Sequence, residues 1–195
     1  MTRLSYVDCT HLTPEQKEFY DSIASGPRAA KRKSLVDEDG HLTGPFNAFL
    51  HQPGLGKHWS AIGETLRFRC GLDRRLFELA ILAVAVTWRS GHEWAAHAKL
   101  AQEEGIAEET IAALRRGERP QFAKNDEEIV YGFAHQLVAE RRVSDARYVD
   151  AAFLLGEKQL VELVNALGYY IGLAAMLNAF DVHPPKELED PWPLG

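Results

Sequence analysis

The chain has 195 residues, of which 46% are hydrophobic and 26% are charged, and its formal net charge at pH 7 is -6. This composition excludes a disordered chain, and the length favours a single globular domain. The acidic balance argues against a nucleic acid or an anionic membrane as partner, because both attract a basic protein face. A short basic cluster fits a solvated loop, although a phosphate or carboxylate site is the alternative. It consists of Arg28, Lys31, Arg32 and Lys33.

The two cysteines, Cys9 and Cys70, lie far apart in the sequence and form no CxxC pair. One conceivable pair is not a disulfide framework, so a reducing compartment is expected. Residues 1–16 are polar and lack the apolar core of a signal peptide. The longest apolar run, Leu79 to Val86, is shorter than the roughly 20 residues that cross a bilayer. We therefore expect a soluble, cytoplasmic protein without a membrane partner.

The first predicted helices are marked by their capping residues. Thr13, followed by Pro14 and by Gln16 three positions on, is typical of a capping box and predicts a helix to about Ser25. Residues 28–40 are polar and predict a loop, and a short helix can follow over 46–51. A longer helix is expected over 53–68, with one face at helical spacing. That face comprises Leu55, Trp59, Ile62 and Leu66.

Asp73 is placed to cap the next helix, which is apolar on all sides from Leu76 to Val86 apart from Glu78. A buried parallel strand gives a similar run, but the frequent alanines and the lack of flanking strand–turn signals favour a helix. A helix of this kind is expected to be surrounded by protein on every side.

A bend at Ser90-Gly91 precedes the remaining predicted helices. These cover 92–104, 106–116, 125–141 with Asn125 as cap and Glu128 as its box partner, 144–156, and 157–180. The tail over 183–195 contains four prolines and is expected to be extended. With no β-alternation, no repeat and no glycine-rich phosphate loop, the sequence predicts an all-α protein.

Glu78 is the first residue that points to chemistry, because it interrupts a wholly apolar helix. A carboxylate in such a place must be paired, hydrogen-bonded or neutralised. A purely structural explanation is an ion pair with Arg67, Arg74 or Arg75, or a position at an exposed edge of the helix.

Ser90, Glu93 and His97 form a second group, since their spacing places them on one side of a helix. A carboxylate beside an imidazole orients the ring and suits it to general acid–base work. An ordinary surface pair between Glu93 and His97 is the alternative. Trp94 and Trp88 could form the wall of a pocket, or could simply be core residues.

Two further readings of this group remain open. Glu93 and His97 offer two metal ligands, but His92 points about 100° away from Glu93 on a helix, and no HExxH pattern is present. Additional ligands would have to come from His51, His58 or His135. A Ser90–His97 nucleophile pair lacks the surrounding nucleophile-elbow motif. We therefore predict no metal.

The segments RLFELAILAVA (75–85) and SGHEWAAHAKLA (90–101), followed by Gly105-Ile106, resemble the core of the carboxymuconolactone decarboxylase and AhpD-like family. The resemblance is dense over 76–114 and looser elsewhere. In the redox branch of the family, a glutamate precedes a CxxC pair and a histidine follows the second cysteine by four residues. Glu78 and His97 match the glutamate and histidine, whereas Ser90 and Glu93 stand at the cysteine positions. Without these thiols, thiol peroxidase activity is not expected.

The resemblance implies one all-α, AhpD-like domain over 1–195, with an extension over 1–44, a core over about 45–181 and a proline-rich tail over 182–195. It also implies homotrimers or homohexamers and a cofactor-free lyase or isomerase acting on a small carboxylated, conjugated substrate such as a lactone from aromatic breakdown. His97 would then be the general acid, Glu93 would orient it or shuttle the proton, and Glu78, with a raised pKa, would support His97 or act as an alternative acid. The substrate would contact Ser90, Trp94, Asn47 and His51. A redox-related protein without redox cysteines and a non-catalytic oligomeric binding protein are the alternatives.

Overall fold

The computed structural model describes residues 2–26, 35–184 and 190–192. The basic cluster Arg28, Lys31, Arg32 and Lys33 and the tail prolines Pro185 and Pro193 lie outside these ranges. Within them the chain forms helices and a single isolated antiparallel bridge, between Val36 and Leu42, so the all-α prediction is confirmed. The helices are α1 (Pro14–Ala24), α2 (Pro45–His51), α3 (Pro53–Phe68), α4 (Arg74–Trp88), α5 (Gly91–Glu103), α6 (Glu108–Arg115), α7 (Asn125–Glu140) and α8 (Asp145–Ala179).

Three of the helix starts follow the predicted capping chemistry. The Thr13 hydroxyl accepts from the Gln16 amide, and the Gln16 side chain accepts from the Thr13 amide, which completes a capping box. Asp73 caps α4 through the amides of Arg75 and Leu76, and Ser144 caps α8. These bonds satisfy amide groups that a helix start would otherwise leave without partners.

The predicted cap of α7 is wrong. Asn125 is the first helical residue rather than the cap, and Lys124 stands at the cap position without a side-chain hydrogen bond. The Glu128 carboxylate is engaged by the guanidinium groups of Arg119 and Arg147, and these charged partners replace the capping amide.

Helix α4 lies at the centre of the molecule and packs against α5, α7 and α8. Every residue from Leu76 to Ala85 is buried, which confirms the prediction that protein surrounds this helix. The two-residue connection Arg89-Ser90 returns the chain directly into α5. Arg89 adopts a left-handed conformation there, with φ of 47°. This short turn keeps α5 beside α4 and thereby brings His97 next to Glu78.

The apolar face predicted for α3 is only partly buried. Leu66 lies in the core, but Leu55 and Ile62 are exposed. The side of α3 that packs inward uses small residues instead, with Gly56 against the Phe49 side chain of α2. The spacing identified the helix correctly but not its buried side, because glycines let the neighbouring backbone approach closely.

Helix α8 is two helices joined at Gly156, where φ is 69° and ψ is 167°. The predicted break between 144–156 and 157–180 is therefore confirmed. By length and composition alone, α8 is apolar enough to cross a membrane. Half of its apolar 18-residue stretch is nevertheless buried inside this protein. Its inner face includes Leu163, Leu167 and Tyr170, as expected for a core helix. Before the break, Phe153 is 94% exposed.

Candidate active site

Glu78 and His97 form a buried pair at the contact between α4 and α5. The Oε2 atom of Glu78 lies 2.5 Å from Nδ1 of His97, and the two side chains are 0% and 1% exposed. A carboxylate accepts only, so Nδ1 carries the proton of this bond. Glu78 thus fixes the orientation of the imidazole and leaves Nε2 as the nitrogen available for other partners.

The second nitrogen of His97 faces two groups of opposite charge. Nη2 of Arg67 lies 2.7 Å from Nε2, and Oε2 of Glu93 lies 3.4 Å from it. The predicted pairing of Glu93 with His97 across one helical turn is therefore present, but inside the protein rather than on its surface. A guanidinium only donates, so Nε2 accepts from Arg67, and His97 is the neutral tautomer protonated at Nδ1.

Arg67 is held in place by contacts from three directions. Its Nε donates to the Tyr170 hydroxyl at 2.9 Å, and its backbone carbonyl accepts from Nη1 of Arg74 at 3.3 Å. Arg74 also donates to the second oxygen of Glu78 and stacks over the ring of Phe77. The last turn of α3, the first turn of α4 and the middle of α8 thus converge on one charge network.

The charges in this network keep Glu78 ionised. Burial opposes its ionisation, but the hydrogen bond from His97 and the charges of Arg67 and Arg74 outweigh burial and lower its pKa below the usual 4.5. The raised pKa expected for Glu78 is therefore wrong, because the expectation did not include two guanidinium groups nearby. Burial raises the pKa of Tyr170, so its phenol stays protonated beside the Arg67 guanidinium.

A cavity of about 760 Å³ opens beside the network. His97, Glu93, Arg67 and Tyr170 all contribute to its wall, whereas Glu78 lies behind His97. Additional lining comes from aromatic and apolar side chains and from charged groups, including Phe46, Phe68, Arg74, His92, Lys99, Leu100, Glu103, Glu104, Tyr169 and Leu173. The wall therefore combines a positioned imidazole, charged groups of both signs and aromatic surfaces, which is the mixture of polar and apolar groups found in small-molecule sites.

Ser90 and Trp94 lie on the same helix as this site but do not line the cavity. Ser90 stands at the start of α5, and its hydroxyl is buried without a hydrogen-bond partner among the described residues. Trp94 is 5% exposed and packs edge-on against Trp192 of the tail. Their contacts with substrate stay predictions, and the observed contact of Trp94 is with its own chain.

Asn47 and His51 hold the N-terminal segment instead of facing the cavity. The Asn47 amide donates to the Ser5 carbonyl and accepts from the Val7 amide, each at 3.1 Å. Nε2 of His51 lies 2.9 Å from the same Ser5 carbonyl. The sequence identified polar residues on the correct helix, α2, but the cavity residues there are Pro45 and Phe46.

The sequence prediction missed Arg67 and Tyr170 as members of the site. Arg67 was considered only as an ion-pair partner of Glu78, and Tyr170 only as an apolar position of the last helix. An available signal was the tyrosine itself, since a buried phenol requires a hydrogen-bond partner. Arg75, the third arginine considered for Glu78, contacts Asp126 and Glu127 of α7 instead.

The structure also describes the residues relevant to metal binding and to thiol chemistry. Among the described residues, the side chains grouped closely enough to hold an ion are Asp37, Asp39 and His41, in the turn before α2. Cys9 and Cys70 are free and half-buried, and burial raises the pKa of both thiols. A raised pKa disfavours the thiolate that disulfide exchange requires.

Comparisons with known proteins agree with the resemblance noted in the sequence. Residues 53–125 match the model of the carboxymuconolactone decarboxylase family. No curated protein matches the chain significantly. A solved structure described as an alkylhydroperoxidase AhpD core, an uncharacterised peroxidase-related protein from Ralstonia eutropha JMP134, superposes with a TM-score of 0.73. It is 12% identical, and the match covers 95% of this chain and 93% of that one.

A second solved structure, ATU0492 from Agrobacterium tumefaciens, is described as a protein of unknown function and a putative antioxidant defence protein AhpD. It superposes with a TM-score of 0.62 at 16% identity, over 71% of this chain and 96% of that one. At such identities the two structures establish the fold alone. The α3–α6 segment that carries Glu78, Glu93 and His97 therefore matches the carboxymuconolactone decarboxylase family, within a chain that has the AhpD-like all-α fold.

Proposed function

We propose that this protein is a cofactor-free lyase or isomerase that transfers a proton on a small carboxylated, conjugated substrate. The observation that carries the proposal is the imidazole of His97, which Glu78 holds by Nδ1 so that Nε2 meets Arg67 and Glu93 at the cavity wall. A ring anchored at one nitrogen and directed at a cavity by the other is the arrangement that general acid–base catalysis requires.

A carboxylated lactone shows how this chemistry would proceed. The bond between the ring carbon and the carboxylate breaks, CO2 leaves, and the electron pair moves through the conjugated C=C bond to the lactone carbonyl oxygen. The resulting dienolate then takes one proton on carbon. A positive group near the carboxylate and the oxyanion stabilises the charge that develops, and an acid within reach supplies the proton.

The side chains divide these tasks between them. Arg67 is the cation of the cavity wall that contacts His97, and its orientation is fixed by the hydroxyl of Tyr170. His97 exchanges the proton at Nε2, and Glu93, 3.4 Å from that atom, stabilises the protonated ring. Glu78 does not touch substrate and acts as the group that orients His97.

The proposal extends to assembly and location. A large apolar side chain such as Phe153, 94% exposed, is costly to leave in water, and together with Leu55 and Ile62 it supports contacts between copies of this chain. We accordingly propose a cytoplasmic homo-oligomer, a trimer or a hexamer. Size-exclusion chromatography with light scattering measures the number of subunits directly, and a monomer would remove this part of the proposal.

In the deciding experiment, the purified protein is incubated with 4-carboxymuconolactone and with a small panel of unsaturated lactone acids. CO2 release and loss of ultraviolet absorbance are followed for the wild type, for His97→Gln and for His58→Gln. His58 is exposed on α3 and is absent from the cavity wall, so it serves as a matched control. We expect turnover that falls by at least about 100-fold in His97→Gln and is unchanged in His58→Gln.

The same panel separates the alternatives. An AhpD-like oxidoreductase would reduce hydroperoxides with a thiol or dithiol donor and would leave the lactones intact. A binding protein would retain ligands without converting them. No turnover of any panel member by a folded wild-type protein would contradict the lyase proposal.

A further inference from the structure

The Nε2 atom of His97, which would exchange the proton, already has a hydrogen-bond partner within the protein. Nη2 of Arg67 lies 2.7 Å from Nε2, and this donor leaves no room for a proton on that atom. His97 therefore cannot donate from Nε2 until Arg67 moves away. Any reaction that requires an acid at Nε2 must include an event that displaces the guanidinium.

The displacing group must compete for a guanidinium hydrogen bond. A neutral imidazole nitrogen is a weaker partner for a guanidinium than a carboxylate, which binds it with two charged oxygens. Arg67 lines the cavity, so an anion placed there reaches it directly. Its bond to Tyr170 can persist meanwhile, because that bond uses the Nε hydrogen, a different donor of the guanidinium.

We propose that Arg67 is a carboxylate-operated latch: a ligand carboxylate in the cavity takes the Nη2 hydrogen bond, and the released Nε2 of His97 takes up one proton from solvent. The proposal rests on the proposed function only in taking Nε2 as the proton-transfer atom. It defines a ligand site that includes Arg67 and Tyr170, and it specifies a small, planar carboxylate as the class of ligand.

The charges around His97 make proton uptake the expected response. Those that face it are Arg67 from α3, Arg74 and Glu78 from α4, and Glu93 from α5, while the Tyr170 phenol from α8 stays neutral. Counted as two cations and two carboxylates, these side chains sum to zero, and so do Lys99 with Glu103 or Glu104 on the same cavity wall, where one further carboxylate remains. A bound carboxylate adds one negative charge to a largely buried cluster, and one proton on His97 restores neutrality.

Glu93 is placed to stabilise that proton. Its Oε2 lies 3.4 Å from Nε2, close enough to accept from a protonated ring after a small adjustment. The imidazolium would then lie between Glu78 on one nitrogen and Glu93 on the other. The ligand carboxylate thus converts His97 from a neutral ring into the acid that protonates the reacting carbon.

The test measures binding rather than turnover. Wild-type protein is titrated calorimetrically with 2-furoate and with 2-furamide, which has nearly the same shape without the charge, in two buffers of different ionisation enthalpy. We expect 2-furoate to bind with uptake of about one proton and to bind up to about tenfold more tightly for each unit of pH decrease where uptake is complete. We expect 2-furamide to bind at least about tenfold more weakly.

Variants separate the latch from other charged groups. Arg67→Gln should weaken 2-furoate binding at least about tenfold and remove the proton uptake, whereas Arg69→Gln, an exposed arginine two residues on, should change neither. His92 also lines the cavity and could titrate there, so His92→Gln must retain the uptake. Should Arg67→Gln fail to fold, His97→Gln provides the second test, since it should still bind 2-furoate but without proton uptake.

Equal binding of 2-furoate and 2-furamide, no binding of 2-furoate, or binding without proton uptake would each overturn the proposal. Failure of the proposed function would look different. Proton-linked binding without turnover of any lactone acid would leave the latch standing and remove the lyase. Turnover without proton-linked binding would do the reverse.

Discussion

Two neighbouring arginines at the start of α4 take part in different kinds of charge cluster. Arg74 belongs to the site cluster, which consists of Arg67, Arg74, Glu78 and His97 and borders the cavity. Arg75 belongs to a structural cluster with Asp126 and Glu127, which joins α4 to α7. The side chain of Arg74 is 37% exposed and that of Arg75 only 12%.

Both clusters bury a carboxylate, so an adjacent cavity and a titratable imidazole are what separate a chemical role from a structural one. In the structural cluster, Arg75 donates to both acidic partners, and none of the three lines the cavity. In the site cluster, a titratable imidazole lies between charges of both signs at the edge of an open space. Breaking the first should therefore lower stability, and breaking the second should alter ligand binding and proton transfer.

The largest effect is expected from Arg75→Met, which keeps the length of the side chain but removes its charge. Glu127 is 2% exposed and would lose its partner inside the protein, which costs about 3 kcal/mol of unfolding free energy. Arg116→Met removes a pair exposed on both sides and should lower the unfolding free energy far less, because solvent screens exposed charges. Urea denaturation measures both variants, and similar losses would contradict the distinction between the two settings.

The next largest effect is expected from Tyr170→Phe, because the Tyr170 hydroxyl binds Arg67 of the site cluster. The change removes the acceptor of the Arg67 Nε bond, so the guanidinium loses its orientation and the affinity for 2-furoate should fall about tenfold. Tyr131→Phe is the matched control, because Tyr131 is a buried tyrosine that packs on Phe122 and does not line the cavity. An unchanged affinity in Tyr170→Phe would show that Arg67 does not depend on this anchor.

The sequence could predict the site only where local spacing determines geometry. Glu93 and His97 are one helical turn apart, so their pairing follows from the helix itself. Glu78 stood out because it is a charge in an apolar helix. Arg67 and Tyr170, in contrast, are separated by 103 residues, and only the packing of α3 against α8 brings them together.

The fold shows the same limit. Helix starts at Thr13, Asp73 and Ser144 follow from their own side chains and were predicted. The cap of α7 and the buried side of α3 depend on partners elsewhere in the chain, and both were predicted wrongly. The contacts of Asn47 and His51 with the N-terminal segment could not be predicted for the same reason, because that segment is distant in sequence, and their contact with substrate stays a prediction.

Lowering the pH should reduce the stability that both clusters give to the fold. Arg75→Met should remove the pH-dependent contribution of the structural cluster. The Arg75 guanidinium lowers the pKa of Asp126 below its usual 3.8, and the charges around Glu78 lower that pKa below 4.5. A carboxyl with a lowered folded-state pKa stabilises the fold above its unfolded pKa, and this stability is lost as pH falls through the folded value.

We therefore expect that the titration of these two carboxyl groups changes the unfolding free energy little above about pH 5. Below about pH 4.5 their protonation should lower it progressively. In Arg75→Met the fall should be shallower, because Asp126 then titrates nearly alike in the folded and unfolded states. Urea denaturation at a series of pH values measures the slope. An unchanged slope in the variant would show that the structural cluster does not couple to protons.

The smallest effect is expected from replacing both thiols, as Cys9→Ser and Cys70→Ser together. Cys9 donates to the Val7 carbonyl near the N-terminus, and Cys70 lies near Glu162 and Lys158 of α8. Neither lines the cavity, and burial raises the pKa of both. If chemistry resides in the site cluster alone, turnover of the lactone acids and the affinity for 2-furoate should stay within about twofold of wild type, since neither thiol is positioned or ionised for exchange. Loss of either property in the double variant, with the fold intact by circular dichroism, would place a thiol in the reaction and favour the redox alternative over acid–base catalysis.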